Sequence, residues 1–366
     1  MAHTATCDSQ EFTQVPIIDI SALVGCGNPD DVASAVAAIG TACRDVGFFY
    51  ITGHGVPDTL VRQLQDQSHA FFALPEEEKL EISMAKGGRA WRGYFPVGSE
   101  LTSGRPDMKE GLYFGSELGP EDPRVRAGTP LHGANLFPRR PPELQQLVLQ
   151  YMACMEQLGH ALMAGISASL ELDPQHFRQH FMADPTCLFR IFNYPAGKLQ
   201  AEDGQACWGV GEHTDYGLLT LLFQDTAGGL QVKNRANVWV EAPPLPATFI
   251  VNLGDMLEVM TAGLYRSTPH RARNTSGRPR LSFPFFFDPA WDARPTCVPL
   301  TPQLQLQAQM ARHADGAEGY RRWDGALLQR FQGTYGEHLL GKVAKVFPEL
   351  AGQQLAVSSA DSLGLA

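Results

Sequence analysis

The chain has 366 residues, 44% hydrophobic and 19% charged, an ordinary composition for a globular enzyme and a length that permits one large domain or two. Its formal net charge of −10 argues against non-specific binding to nucleic acid or to an anionic membrane, both of which need basic surface. No run reaches the roughly 18–20 apolar residues of a spanning helix, Met1–Cys7 lacks the pattern of a signal peptide, and seven scattered cysteines without a Cys-x-x-Cys pair point to reduced thiols in the cytoplasm.

Residues 1–13 are polar and read as a loose N-terminus. Val15–Ile20 reads as a short strand. Asn28-Pro29 supplies a cap and a first-turn proline. Val32, Val36, Ile39, Cys43 and Val46 then recur at spacings of four and three, the buried stripe of an amphipathic helix that ends at Gly47. Phe48–Thr52 follows as a strand. A second helix is expected over Asp58–Phe72, with Leu60, Leu64 and Phe71 inward and Pro75 as its stop. Residues 82–142 are rich in glycine, proline and charge, and read as a long connection of the kind that forms lids or binding loops. Pro142–Leu172 keeps helical spacing through Leu144, Val148, Tyr151, Met155, Leu158, Leu162 and Ile166, a spine for core packing.

After Asp184 the texture changes to short apolar runs divided by turn residues: Leu188–Tyr194, Gly217–Phe223, Leu230–Val232, Val238–Val240, Thr248–Leu253 and Leu281–Phe287. This spacing suggests a barrel or sandwich. Helical texture returns over Leu327–Val346, and Gly352–Ala366 reads as a mobile tail.

The chemistry concentrates in the β-rich half. His213 and Asp215 stand at i and i+2, so at a strand end both aim to one side. With His270 from a neighbouring strand they form a two-histidine, one-carboxylate set suited to iron(II) with one face open, to a 2-oxo acid and dioxygen. His-x-Asp alone is more often a capped turn, and it is the second imidazole that favours the metal. Arg280 and Ser282 share a face by the same period of two, and can hold the far carboxylate of an organic acid. The apolar flank Phe283–Phe287 favours a buried anchor over an exposed edge arginine.

These segments resemble the isopenicillin-N-synthase-like branch of the 2-oxoglutarate- and iron(II)-dependent oxygenases, from about residue 14 to about residue 350. The resemblance rests on Val15–Asp19, on Gly47–Val56 with Gly53 where the family has asparagine, and on Arg92-Gly93-Tyr94 with Glu100. It rests further on Asp107–Glu110, His213–Gly217, Asn252–Asp255, Ser267–Arg271 and Arg280–Ser282. It implies a mainly β fold with flanking helices (α+β) around a distorted double-stranded β-helix, a jelly-roll or cupin-like core. An N-terminal region over 14–180 would pack on a catalytic core over 181–300, followed by a helical region over 301–350 and a mobile tail over 351–366. The resemblance also implies iron(II) on His213, Asp215 and His270, and 2-oxoglutarate on Arg280 and Ser282 with help from Tyr194. Phe192 stands where many plant members have asparagine, so that residue's role does not carry over. Phe286 falls at a substrate-facing aromatic position, with core packing equally open, and Tyr94 is the other candidate for the substrate pocket. The implied reaction is oxidative decarboxylation of 2-oxoglutarate to succinate and carbon dioxide, with dioxygen, coupled to hydroxylation or related C–H oxidation of a small molecule. An oxidase of the same fold that uses no 2-oxoglutarate, and a non-catalytic barrel that binds an organic acid, are the alternatives. Prime substrate and oligomeric state are not readable, and neither nucleic acid nor membrane is expected as a partner.

Overall fold

The computed structural model describes residues 11–25, 27–102, 104–196, 208–314 and 333–354. Among these the strands are β1 (Ile17–Asp19), β2 (Phe48–Thr52), β3 (Gly93–Phe95), β4 (Leu101–Thr102), β5 (Arg105–Pro106), β6 (Glu110–Gly115) and β7 (Pro185–Tyr194). There follow β8 (Val210–His213), β9 (Leu219–Gln224), β10 (Leu230–Lys233), β11 (Trp239–Ala242), β12 (Phe249–Leu253), β13 (His270–Ala272) and β14 (Arg280–Ala290). An eight-stranded sheet has the order β1-β2-β12-β9-β14-β7-β6-β3, and a four-stranded sheet the order β11-β10-β13-β8. A cavity lies between them, lined from both sides by residues such as Leu222 and Pro284 of the large sheet and Val210 and Leu230 of the small one.

The period of two on β14 divides core from site. Leu281, Phe283, Phe285 and Phe287 are fully buried on one face. They turn toward the long helix Leu144–Ser169, whose Tyr151 ring lies 6.2 Å from that of Phe283. Burying each phenylalanine contributes about 1.5–3 kcal/mol. Arg280, Ser282, Pro284, Phe286 and Asp288 occupy the other face and line the cavity. A register slip of one residue would therefore exchange the core for the site.

The helices over Pro29–Asp45, Asp58–Phe72 and Leu144–Ser169 match the sequence periodicity, and the Asn28 side chain accepts the Asp31 N–H at 2.9 Å as the expected cap. The stretch 82–142 does not remain a connection. It contributes β3 and β6, which extend the large sheet beyond β7. The alternation of β6 is disguised because Glu110, with Lys109 just before it, is a buried charge and Gly111 stands where an apolar side chain would be expected. A Cβ on Gly111 would meet the Phe95 ring at 2.6 Å and the Phe192 ring at 2.8 Å, so neighbouring aromatics fill its place. Pro302–Ala314 is a further helix without a sequence signal. Of the helical texture expected over Leu327–Val346, Tyr335–Val346 is a helix and residues 327–332 lie outside the described residues. Gly352 falls inside a helix over Pro348–Gln354, and residues 355–366 of the expected tail lie outside the described residues. No described helix is long and apolar enough to cross a membrane.

Candidate metal centre and acid-binding cavity

His213 is the last residue of β8 and pairs directly with His270, the first of β13. Asp215 follows in the loop between β8 and β9, so its convergence comes from that loop and not from strand periodicity alone. The Asp215 Oδ1 lies 3.7 Å from the His213 Nε2 and 3.8 Å from the His270 Nε2, and donor atoms of all three residues lie within 4.8 Å of one another. Each imidazole points its other nitrogen at a main-chain carbonyl two residues back: His213 Nδ1 to Gly211 at 2.8 Å, and His270 Nδ1 to Thr268 at 3.1 Å. With Nδ1 donating the hydrogen, Nε2 keeps its lone pair. The second oxygen of Asp215 is likewise engaged, accepting from the Thr220 hydroxyl at 2.5 Å and the Asn252 amide at 2.7 Å.

Electrostatics keep this set ready to bind a cation. Burial, then His213, pushes His270 down to about 4, and burial also lowers His213. Both are neutral donors at neutral pH. Burial alone would raise the Asp215 carboxyl, but His270, His213 and the hydrogen bonds from Thr220 and Asn252 outweigh it and hold the group below the ordinary carboxylate value. Thr220 and Asn252 were not assigned a role from sequence. Asn252 stands in Asn-Leu-Gly-Asp, a segment that resembles the family, and Thr220 lies on the cavity face of β9; neither signal reveals the shared oxygen.

At one end of the cavity Arg280 is 1% exposed, and β14 places it opposite Tyr194 of β7. Its guanidinium lies 4.5 Å from the Tyr194 ring centroid. Nε donates to the Gly228 carbonyl at 2.5 Å and Nη2 reaches Gln224 at 3.5 Å, while Nη1 has no partner among the described residues. A buried, unpartnered donor of a full cation fits an incoming carboxylate. The Ser282 hydroxyl is 3.3 Å from that of Tyr194, which brings all three expected anchor residues to one place.

Phe286 also lines the cavity, and the Arg190 guanidinium lies 4.8 Å from its ring. Tyr94 does not line it. Tyr94 faces a separate cavity of about 410 Å³ beside Phe95, Ser99 and Phe347, and its hydroxyl donates to Glu110 at 2.6 Å. Sequence reasoning also missed the roof. Tyr335 and Leu339 of the C-terminal helix line the cavity, and the Tyr335 hydroxyl donates to Asp288 at 2.5 Å. Gly217 permits this closure: a Cβ there would lie 1.5 Å from the Asp288 carboxylate.

Comparison with known proteins agrees with this geometry. Residues 177–289 match the model of the 2OG-Fe(II) oxygenase superfamily, and residues 15–140 match the non-haem dioxygenase in morphine synthesis N-terminal model. A probable iron/ascorbate oxidoreductase of Dictyostelium discoideum is 43% identical, over 96% of this chain and 100% of the relative. A homoarginine-6-hydroxylase of Oryza sativa is 36% identical, over 92% of this chain and 98% of the relative. A full-length Neurospora crassa protein, crystallised in complex with alpha-KG and 5-formyluracil, superposes with a TM-score of 0.71 at 25% identity, covering 91% of this chain and 96% of that one. The chain belongs to the 2-oxoglutarate- and iron(II)-dependent oxygenase superfamily. Its two facing sheets are the double-stranded β-helix core, it is an oxidoreductase, and iron(II) and 2-oxoglutarate are its cofactor and co-substrate.

Proposed function

We propose that His213, Asp215 and His270 hold the iron, and that Arg280, Ser282 and Tyr194 hold the distal carboxylate of 2-oxoglutarate, in an enzyme that hydroxylates a small organic molecule. The observation that carries the assignment is the convergence of three lone-pair donors whose other polar atoms are already hydrogen-bonded. The bound metal supplies the capacity to activate dioxygen at the expense of 2-oxoglutarate.

The remaining chemistry belongs to the protein's own side chains. Arg280 Nη1 and the Ser282 hydroxyl orient the co-substrate from its far end. Thr220 and Asn252 keep the Asp215 carboxylate turned by its free oxygen toward the metal position. Phe286 and Leu188 form an apolar wall, and Tyr335 and Leu339 cover the space so that water is kept from the reacting centre. The free thiols of Cys43, Cys154, Cys187 and Cys297 support a reducing, cytoplasmic setting.

Anaerobic addition of iron(II) and 2-oxoglutarate to the metal-free protein tests the assignment. The visible charge-transfer band of the iron complex is expected in the wild type, and His270→Ala is expected to lose both band and iron. A normal band in a folded His270→Ala protein would remove His270 from the ligand set.

A further inference from the structure

Two arginines line the cavity, Arg280 fully buried and Arg190 partly exposed, and the co-substrate accounts for only one of them. Arg190 lies on β7 directly opposite Tyr113 of β6. Its guanidinium is 4.0 Å from the Tyr113 ring centroid and 4.8 Å from that of Phe286. Cation–π contact with the two rings uses none of the N–H groups as hydrogen-bond donors. The acceptors present are insufficient. Glu100 forms an ion pair with Nη1 at 3.7 Å, too long for a hydrogen bond, and Nε has no partner among the described residues. The Glu100 carboxylate is also shared. It accepts from the Tyr113 hydroxyl at 2.6 Å and pairs with Lys109 at 2.8 Å, while Lys109 also binds Asp107 at 2.5 Å. Arg190 is thus a positioned, mostly buried cation, its side chain 14% exposed, with an open Nε donor on the wall of a cavity.

The two cations stand at separate places along the cavity wall. Tyr194, opposite Arg280, is four residues along β7 from Arg190, or about 13 Å at strand rise. The surroundings differ too: Arg280 is framed by Gly228, Gln224 and Tyr194, whereas Arg190 sits by Phe286, with Leu188 and Leu339 also on the cavity wall.

We propose that Arg190 is the anchor for a carboxylate of the prime substrate, which makes that substrate a small organic acid whose apolar body lies against Phe286, Leu188 and Leu339. This rests on the reading of Arg280 as the 2-oxoglutarate anchor.

The test is an anaerobic titration of the enzyme, loaded with iron(II) and 2-oxoglutarate, with matched pairs of small carboxylic acids and their primary amides. The pairs run from glycine and glycinamide to phenylacetate and phenylacetamide. The readout is the perturbation of the charge-transfer band on occupancy of the second site. Acids are expected to act at concentrations about 10- to 100-fold below their amides, the worth of charge-assisted hydrogen bonds. Arg190→Gln is expected to abolish this preference while the band itself forms normally, and Arg190→Lys to retain part of it. A purely structural Arg190 would change band or fold without changing acid-over-amide selectivity. Equal response to acid and amide in the wild type, no response to any acid, or a folded Arg190→Gln that keeps the preference would each overturn the proposal. Should Arg190→Gln fail to fold, the wild-type comparison decides. Absence of the band in the wild type would sink the co-substrate reading and this one with it, whereas a normal band without acid preference overturns only the anchor.

Discussion

Replacing Asn252 by alanine isolates the support given to Asp215. Asn252 is 1% exposed, and its amide donates to Asp215 Oδ2 at 2.7 Å, beside the Thr220 hydroxyl at 2.5 Å. Removing one hydrogen bond to a buried anion costs about 1.5–3 kcal/mol. Partners of metal ligands have effects of about 10- to 100-fold on affinity, the same range expressed as binding. The expected result is therefore iron(II) affinity weakened by about 10- to 100-fold in a protein that still folds. The loss should grow as pH falls, because the amide is one of the influences that lower the Asp215 carboxyl, and protons compete better once it is gone. The assay is an anaerobic chelator-competition titration at two pH values, with circular dichroism as the control for folding. Thr220→Val, nearly isosteric, should act in the same direction. Because both groups bind one oxygen, the double substitution should be less than additive. Unchanged iron affinity in folded Asn252→Ala would refute the argument that the second oxygen of Asp215 must be held for the first to bind.

Arg280→Gln should weaken 2-oxoglutarate binding by about 10- to 100-fold and leave iron binding intact, seen as a shifted midpoint of the charge-transfer titration; loss of iron instead would contradict the division of labour. Asp288 gives a pH prediction. Burial pushes its carboxyl up to about 7, against hydrogen bonds from Tyr335 and the Leu218 N–H, so its contribution to stability is fully present below the unfolded value near 3.8 and is lost as pH rises through 7. The whole swing is about 4 kcal/mol. Asp288→Asn lacks it, so the unfolding free energy of the variant relative to wild type should climb between about pH 4 and 7 and level off above. Denaturant titrations across that range check this, and a flat difference contradicts it. Gly111→Leu should cost about 1–3 kcal/mol in the same assay by driving a side chain into the Phe95 and Phe192 rings.

The helices and the convergence of His213, Asp215 and His270 were legible because each obeys a simple rule: a 3.6-residue stripe ending in a cap, or polar residues at and just beyond strand ends. Arg280 and Ser282 were legible for the same reason, since period two on an apolar strand fixes their common face. What stayed hidden depends on distant partners. β6 carries buried charge, and its reason for being a strand is the ion pair of Lys79 with Glu110 at 2.7 Å and the rings that fill the space over Gly111. The roof was hidden because Tyr335 meets Asp288 across 47 residues. Arg190 sits inside the Leu188–Tyr194 run, and nothing in its neighbours along the chain says that two aromatic rings from other strands lie against it.

Burial of charge does not by itself mark a binding group; the donors left over do. Glu110 is as buried as Asp215, yet Lys79 and the Tyr94 hydroxyl occupy one of its oxygens and Asn193 the other, at 2.6–2.8 Å. It acts as a strut that also fixes Tyr94. Asp215 has one oxygen held and one free, each imidazole has one nitrogen held and one free, and Arg280 has two nitrogens held and Nη1 free. Partial satisfaction is what makes these groups useful: the held atoms fix direction before a ligand arrives, and the free atom has no protein partner to lose when the ligand binds. A fully satisfied group would be wall, and one with no fixed contact would sample many rotamers and lose affinity to their ordering. Arg190 meets the same condition by different means, with ring faces in place of hydrogen bonds, which is the physical reason to count it among the binding groups rather than among the struts.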